Sequence, residues 1–268
     1  MIYIVNAFYG EAKPFIEYYR LKRNGTYKNF QVFENEEMKL VVSGIGKINA
    51  AIATSYILSQ AQLNCDDIIL NIGICGSKKR KIGECVLINK IIDVDNKRNL
   101  YPDILLKHEF QEGTIETFSN IVVDSNIGDT CDMEASGFFQ AATKFVGPHQ
   151  VHIIKIVSDN LSNKKLEKGF IDKIINNNIE KIIKHVDNLV NCFKKCELLN
   201  KFDIHNIQNI SLNLNLTENQ KIQFRKKYIS YIIREGISPE LNDFINVRVT
   251  VKNESKKQFK KLIEKLSE

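Results

Sequence analysis

The sequence predicts an α/β fold with a parallel sheet at its core, followed by a small separate module. Three observations support this fold class. Short β-branched runs recur through the first 195 residues, glycine-containing turns follow several of them, and segments with helical spacing of apolar residues separate them. With 268 residues and 43% hydrophobic side chains, the chain can bury a sizeable core, which excludes disordered, collagen-like and low-complexity classes.

The first elements form a strand, a hairpin, a helix and a second buried strand. The run from Ile2 to Val5 predicts a buried strand, and a helix follows around Pro14 to Arg20. Within residues 30–46, a segment of alternating polar and apolar side chains is followed by a charged turn and then by a second apolar run, which indicates a hairpin. An Ala-rich helix over residues 48–62 then leads into the apolar strand Ile68 to Leu70. This order is typical of a βαβ unit.

The remaining elements of the first domain continue the alternation of strands and helices. They are a strand pair within residues 82–94, a β-rich stretch over 114–123, a helix over 133–145, a strand over 152–157 and a long amphipathic helix over 171–193. We therefore expect a first domain over residues 1–196.

Residues 203–268 predict a separate βαβα module. Alternating Ile and Leu residues indicate its first strand: Ile210, Leu212, Leu214 and Leu216. Thr217 and Gln220 form a capping box that opens a helix ending before Gly236. A strand over 246–251 and a Lys-rich helix over 254–266 follow. The module contains twelve Lys and Arg and eight Asp and Glu, so its net charge is +4, out of +6 for the whole chain.

The charge pattern and the cysteines indicate a soluble cytoplasmic protein. Basic and acidic residues are interspersed, also in the last helix, which favours a solvated surface over a nucleic-acid site, while an unidentified protein partner of the module stays open. The six cysteines form no Cys-x-x-Cys pair or zinc-ligand spacing, so we expect reduced thiols and no metal. No segment reaches about 18 uninterrupted apolar residues, and the start of the chain has no basic leader.

Polar residues that directly follow the predicted strands are the candidate site residues, because ligands of open α/β sheets bind outside the carboxyl ends of the strands. Glu11 follows the first strand, residues 71–77 (NIGICGS) follow the strand at 68–70, and Ser158 with Asp159 follows the strand at 152–157. Glu134 opens the helix at 133–145. Singly, each residue also fits an ordinary cap or turn.

Taken in order, these stretches resemble the nucleoside phosphorylase and nucleosidase family, in particular the 5′-methylthioadenosine/S-adenosylhomocysteine nucleosidases. The stretches are NAFYGEAKPF with Glu11, VVSGIGKINAAIATSYIL from Val41, IILNIGICGS from Ile68, DMEASGFFQAA from Asp132 and IKIVSDN ending at Asn160. The resemblance implies one mixed sheet wrapped by helices, a homodimer, no cofactor, and cleavage of the bond between purine N9 and the ribose anomeric carbon.

The resemblance also implies a role for each site residue. Asp159 protonates the purine at N7 with Ser158 orienting it, Glu11 activates the water, and Glu134 holds the ribose hydroxyls and stabilises the cationic sugar. We expect repulsion among the carboxylates and partial burial to keep Asp159 protonated near neutral pH. The remaining substrate-binding candidates are Met133 against the sugar, Phe8 near the 5′ substituent, Thr117 and Phe118 beside the base, and Gly73 and Ile74 in the glycine turn.

Several positions depart from the family pattern. Ile74 stands where relatives commonly carry Ser or Thr, and the stretch before Met133 is short for a loop that contacts the base. Asn71 occupies a position where phosphorylases place an Arg, which favours hydrolysis over phosphorolysis. Lys155 lies where relatives often have Arg, and we expect a paired or snorkelling side chain without a catalytic part. A nucleoside phosphorylase and a non-catalytic nucleoside-binding or scaffold protein stay open as alternatives.

Overall fold

A ten-stranded mixed sheet organises the first part of the chain. The computed structural model describes residues 1–123, 127–162, 169–195 and 199–267. These residues divide into two units, Met1–Lys194 and Lys195–Glu268. The predicted α/β class with a mixed sheet and flanking helices is confirmed for the first unit.

The described residues contain ten strands and nine α-helices. The strands are β1 (Ile2–Asn6), β2 (Lys22–Arg23), β3 (Gln31–Glu34), β4 (Met38–Val42), β5 (Ile68–Gly76), β6 (Cys85–Asp93), β7 (Arg98–Leu100), β8 (Gln111–Thr117), β9 (Thr130–Asp132) and β10 (Val151–Asp159). The helices are α1 (Tyr9–Tyr18), α2 (Lys47–Ser59), α3 (Ala135–Ala142), α4 (Phe170–Asn176), α5 (Ile179–Lys195), α6 (Lys201–Asn213), α7 (Glu218–Glu235), α8 (Asn242–Ile245) and α9 (Lys252–Lys265).

Strands β1, β4, β5 and β10 run parallel at the centre of the sheet. β1 pairs with β4 on one side and with β5 on the other. β5 also pairs with β10, and its end meets β9 at the Gly76–Cys131 pair. Because β10 continues antiparallel to β6, the strands β5, β10, β6, β8 and β9 close into a ring. The hairpin predicted over residues 30–46 is the antiparallel pair β3–β4.

Alternation along the strands separates two hydrophobic clusters, one on each face of the sheet. In β1, Ile4 packs into the cluster that contains the buried residues of α1, α4 and α5. Tyr3 and Val5 point the other way and join the cluster formed with α2 and α3. Both faces are therefore covered by helices, which is why β5 and β10 read as nearly continuous apolar runs.

Close contact between α2 and α3 requires a glycine. A Cβ atom at Gly137 of α3 would lie 1.9 Å from the carbonyl oxygen of Lys47, the first residue of α2. Any larger residue at position 137 would push the two helices apart. This packing fixes the beginnings of both helices, which lie next to the carboxyl ends of the parallel strands.

The single helix predicted over residues 171–193 is wrong, since two helices, α4 and α5, occupy this stretch. The break falls at Asn177 and Asn178. The Asn178 side-chain amide donates to the carbonyl oxygens of Gly83, at 3.0 Å, and of Ile174, at 2.9 Å. An amide that satisfies backbone carbonyls in this way competes with a continuous helix.

All regular elements in the described residues of the second unit are helices, so the predicted βαβα module is wrong in its two strands. Ile210 on α6 and Leu214, the C-cap residue of this helix, are four residues apart and both are buried, whereas Leu212 is exposed. Residues 246–251 form no strand, although the Val249 N–H donates to the carbonyl of Asn213 at 2.8 Å. The capping box of Thr217 and Gln220 is confirmed at the start of α7, as is Gly236, with φ of +72°, at its end.

A buried hydrogen bond joins two helices of the second unit. The Tyr228 hydroxyl on α7 donates to Asp203 Oδ1 on α6 at 2.7 Å. Asp203 also closes a capping box with Asn200 at the start of α6. None of the helices in the described ranges combines the length and apolarity needed to cross a bilayer. Cys196 lies outside the described residues.

Candidate active site

A cavity of about 280 Å³ lies at the carboxyl ends of β1, β5 and β10. Residues from six separate stretches of the chain meet there, three of them at the ends of these strands, which are parallel and end at the same edge of the sheet. The cavity wall includes seven of the residues expected from the sequence: Phe8, Glu11, Ile74, Met133, Glu134, Ser158 and Asp159. The three carboxylates therefore share one cavity.

Glu11 lies in the first turn of α1, directly after β1, and its carboxylate accepts two backbone hydrogen bonds. The Ala7 N–H donates to Oε2 at 2.7 Å, and the Ile74 N–H donates to Oε1 at 2.8 Å. The side chain is almost fully buried. Burial raises the pKa of Glu11 to about 7, and the charge of Lys155 opposes this rise. A carboxylate with a pKa near neutrality is suited to accept a proton from water.

Gly73 lies behind the Glu11 carboxylate. A Cβ atom at this position would stand 2.5 Å from Glu11 Oε1, closer than any stable contact. Gly73 is not one of the residues that line the cavity. Because Gly73 has no side chain, the Glu11 carboxylate has room to accept a hydrogen bond from the backbone of β5.

Glu134 is the N-cap residue of α3, and its carboxylate joins this helix to the start of α2. The Gly46 N–H donates to Oε1 at 2.9 Å, and the Met133 N–H lies 3.4 Å from Oε2. Gly46 has a φ of +105°, a backbone conformation that favours glycine. Burial raises the pKa of Glu134, and the charge of Lys155 lowers it.

Asp159 ends β10, and both of its carboxylate oxygens accept hydrogen bonds. The Leu161 N–H donates to Oδ1 at 2.9 Å, and the Ser158 hydroxyl donates to Oδ2 at 2.7 Å. A Cβ atom at Gly76, the partner of Asp159 in β5, would lie 3.1 Å from Oδ1 and 2.3 Å from Leu161 Cδ2. The close approach of β5 and β10 thus holds the orientation of Asp159.

Lys155 is buried near the cavity and pairs with a carboxylate that the sequence argument did not single out. Its Nζ lies 2.9 Å from Asp132 Oδ2, and the Thr117 hydroxyl donates to Asp132 Oδ1 at 2.8 Å. Burial alone would lower the pKa of Lys155, but Asp132, Glu134 and Glu11 together raise it. The lysine inside the apolar run of β10 was the sequence feature that could have indicated this ion pair, since a buried charge needs a partner.

Thr117 and Phe118 are not residues of the cavity wall. Thr117 is fully buried and its hydroxyl is bound to Asp132. Phe118 packs against a small cluster formed by Ile127, Cys131 and Leu161. Three residues that follow them line the cavity instead, namely Asn120, Ile121 and Val122, and no pattern in the sequence marked these.

The chain matches known proteins in sequence over its first part. Residues 2–118 match the family model of the Phosphorylase superfamily. A 5′-methylthioadenosine/S-adenosylhomocysteine nucleosidase of Marinomonas sp. (strain MWYL1) is 36% identical over 67 residues, which are 24% of this chain. The aligned segment spans 28% of the length of that curated relative.

Solved nucleosidase structures share the fold of the first unit. The apo form of the Arabidopsis thaliana 5′-methylthioadenosine nucleosidase has a TM-score of 0.58 at 16% identity, covering 70% of this chain and 95% of that one. The Neisseria meningitidis 5′-methylthioadenosine/S-adenosylhomocysteine nucleosidase, solved with methylthio-immucillin-A, has a TM-score of 0.54 at 22% identity, covering 70% and 97%. The predicted resemblance is confirmed: the first part of this chain is similar in sequence to the Phosphorylase superfamily and shares the fold of solved nucleosidases.

Proposed function

We propose that the first unit hydrolyses the N-glycosidic bond of a purine nucleoside such as 5′-methylthioadenosine or S-adenosylhomocysteine and releases the base. The observation that carries this proposal is the meeting of Glu11, Glu134 and Asp159 in one cavity. Glycosidic cleavage passes through an oxocarbenium-like state, which needs an acid at the leaving group, a base for water and negative charge beside the sugar. Three carboxylates in different surroundings supply these functions.

In this proposal Asp159 protonates the purine at N7, and Glu11 takes a proton from the attacking water. The Ser158 hydroxyl at 2.7 Å holds the Asp159 carboxyl in place. The two backbone N–H groups on Glu11 fix its carboxylate and leave its remaining lone pairs for the water.

Glu134 accepts hydrogen bonds from the ribose hydroxyls and stabilises the positive charge that develops on the sugar. Met133 and Phe8 supply apolar walls for the sugar and for the 5′ substituent. The Ile74 N–H donates to the carboxylate of Glu11, the proposed general base. The main chain makes this contact, so position 74 needs no side-chain hydroxyl for it.

Hydrolysis is favoured over phosphorolysis by the charges around the cavity. Among the described residues, no Arg or Lys side chain lines it. The nearby cation, Lys155, is already paired with Asp132 at 2.9 Å. A phosphate dianion would therefore meet carboxylates and apolar side chains, whereas a neutral water needs only a base.

We further propose that the protein is a cytoplasmic homodimer. Ile45 lines the cavity, and Ile48 and Ile52 follow on α2, each more than half exposed. An exposed stripe of this kind beside a site is typical of a subunit interface. The buried thiols of Cys75, Cys85 and Cys131 form no disulfide, as expected in a reducing compartment.

The reaction is tested by incubating the protein with 5′-methylthioadenosine, S-adenosylhomocysteine, 5′-deoxyadenosine and inosine, with and without phosphate, and measuring free base. Phosphate-independent release supports the proposal. Release that requires phosphate would show a phosphorylase, and binding without release would show a non-catalytic protein. Asp159→Asn is expected to abolish release, and Asp66→Asn, a half-buried residue before β5, serves as the matched control.

The dimer is tested by light scattering after size-exclusion chromatography. A double variant, Ile48→Lys with Ile52→Lys, is expected to give the monomer mass. Ile233→Lys changes an equally exposed isoleucine of the second unit and is expected to leave the mass unchanged. A wild-type protein that runs as a monomer would refute this part of the proposal.

A further inference from the structure

A second cavity, of about 250 Å³, lies in the first unit and shares no lining residue with the candidate active site. One wall is residues 107–110, between β7 and β8. The other wall is one face of α5, which contributes Lys181, Lys184, His185 and Asn188. Their spacing of three, four and seven residues places these four side chains on the same side of the helix.

The cavity wall carries more positive than negative charge. It contains three lysines, Lys107, Lys181 and Lys184, and one carboxylate, Glu109. Glu109 Oε1 forms an ion pair with Lys184 Nζ at 2.5 Å. Within the described ranges, no carboxylate forms an ion pair with Lys107 or Lys181, and Lys181 Nζ instead lies 4.5 Å from the centre of the Phe110 ring. Two lysines therefore remain available to an anion.

Two imidazole rings in the wall have nitrogen atoms without a protein partner. His108 and His185 lie 6.0 Å apart, ring centre to ring centre. His185 is 4% exposed, and neither its Nε2 nor the Nδ1 of His108 forms a hydrogen bond with any described residue. Buried polar atoms of this kind usually have a partner, because leaving one unsatisfied costs free energy. A neutral imidazole can donate one N–H to an oxygen.

A cation does not fit this wall. The described residues contain no group of three or more His, Cys, Asp or Glu side chains placed to hold a metal ion. The lysines would also repel a cation. Burial, together with the neighbouring His108, lowers the pKa of His185 to about 4, so the ring is a neutral donor at pH 7.

We propose that this cavity binds a phosphate group, either as inorganic phosphate or as the phosphate of a small phosphomonoester. Lysine binds phosphate as a compact point charge, and an N–H at Nε2 of His185 adds a directed hydrogen bond to one of its oxygens. The volume suits a small ligand, since it lies just below the usual range for drug-sized ligands. The site does not depend on the nucleosidase reaction.

The test is calorimetric titration of the full chain with inorganic phosphate and, separately, with ribose 5-phosphate. We expect saturable binding with a Kd of about 1 mM or lower. The double variant Lys181→Gln with Lys184→Gln should weaken binding by about tenfold or more, as expected for the loss of charged hydrogen bonds. Tighter binding of ribose 5-phosphate identifies a phosphomonoester site, and equal affinities identify a site for the free ion.

Three further variants complete the test. Lys144→Gln, an exposed lysine after α3, should bind phosphate as the wild type does. Lys107→Gln, on the exposed segment before β8, tests the opposite wall and should also weaken binding, even if the double variant on α5 folds poorly. His185→Asn should weaken binding through loss of the imidazole. Absence of saturable binding, or binding unchanged by both the α5 and the Lys107 substitutions, would overturn the proposal.

Discussion

Lys155 Nζ and Asp132 Oδ2 form an ion pair of 2.9 Å in which both side chains are about 1% exposed. The pair joins β10, which ends at Asp159, to the end of β9, two residues before Glu134. Because Lys155 is also the main favourable charge for Glu11 and Glu134, it compensates three buried carboxylates. The buried charge of Lys155 therefore stabilises the carboxylates of the candidate active site.

Lys155→Met should therefore destabilise the first unit strongly. Removing one partner of a buried ion pair leaves an uncompensated charge, which costs about 3–5 kcal/mol of the free energy of unfolding. Chemical denaturation measures this loss. The double variant Lys155→Met with Asp132→Asn should lose less than the sum of the two single variants, because it leaves no unpaired charge at position 132. Additive losses would show that the pair is not coupled.

The pKa of Glu11, raised by burial to about 7, predicts a pH dependence of stability. Its ordinary value is 4.5, so the folded state binds more protons than the unfolded state between pH 4.5 and 7. The contribution of Glu11 to the free energy of unfolding should therefore fall as the pH rises through this range, by about 3 kcal/mol.

The measurement compares wild type with Glu11→Gln by urea denaturation at pH 5, 6, 7 and 8. The amide does not titrate, so the stability difference should shift in favour of Glu11→Gln up to about pH 7 and then stay constant. A difference that does not change with pH would mean that Glu11 keeps an ordinary pKa in the folded protein.

Gly73→Ala should impair catalysis more than folding. The added methyl group would stand 2.5 Å from Glu11 Oε1, so the carboxylate must move away from the Ile74 N–H. Displacement of a catalytic group by about 1 Å can reduce kcat by about 100-fold. Gly25→Ala, which places the methyl group in open space, is the matched control and should keep full activity. Equal kcat values for the two variants would contradict the placement of Glu11.

His152 predicts a loss of stability in acid. Burial lowers the pKa of His152 to about 3, from an ordinary value of 6.5, so the unfolded state binds more protons as the pH falls below 6.5. His152→Leu removes this titration. The melting temperature of the variant should therefore exceed that of wild type increasingly between pH 6.5 and pH 4. Parallel pH curves for the two proteins would rule out a buried neutral histidine at this position.

The parallel sheet and the site residues at its edge could be predicted from local patterns. The apolar runs predicted at Ile2–Val5, Ile68–Leu70 and residues 152–157 lie in the buried parallel strands β1, β5 and β10, whose carboxyl ends lie together. β5 is longer than predicted, since it continues through residues 71–76, which were expected to form a turn. The partner of Lys155 could not be predicted, because Asp132 is 23 residues away in the chain and no local pattern links the two residues. Only the pairing of β5 with both β10 and β9 brings the two side chains together.

The strands predicted in the second unit show the opposite case. Ile210, Leu212, Leu214 and Leu216 alternate as in a strand, yet a helix forms, because Ile207, Ile210 and Leu214 lie on one face and meet Phe224 and Tyr228. Leu212 stays exposed as the consequence. Alternation over so few residues does not decide between a helix and a strand until a partner surface is present.

The amino-acid sequence by itself determined the central parallel strands of the first unit, and which acidic residues follow them, because periodicity and strand-end chemistry are local properties. The stretch 82–94, predicted as a strand pair, is instead the single strand β6. The tertiary structure alone decided the protonation of Glu11, the pairing of Lys155 and the helical second unit. Burial and charge neighbours depend on residues that are distant in the chain, and their free energies arise only when those residues are packed together.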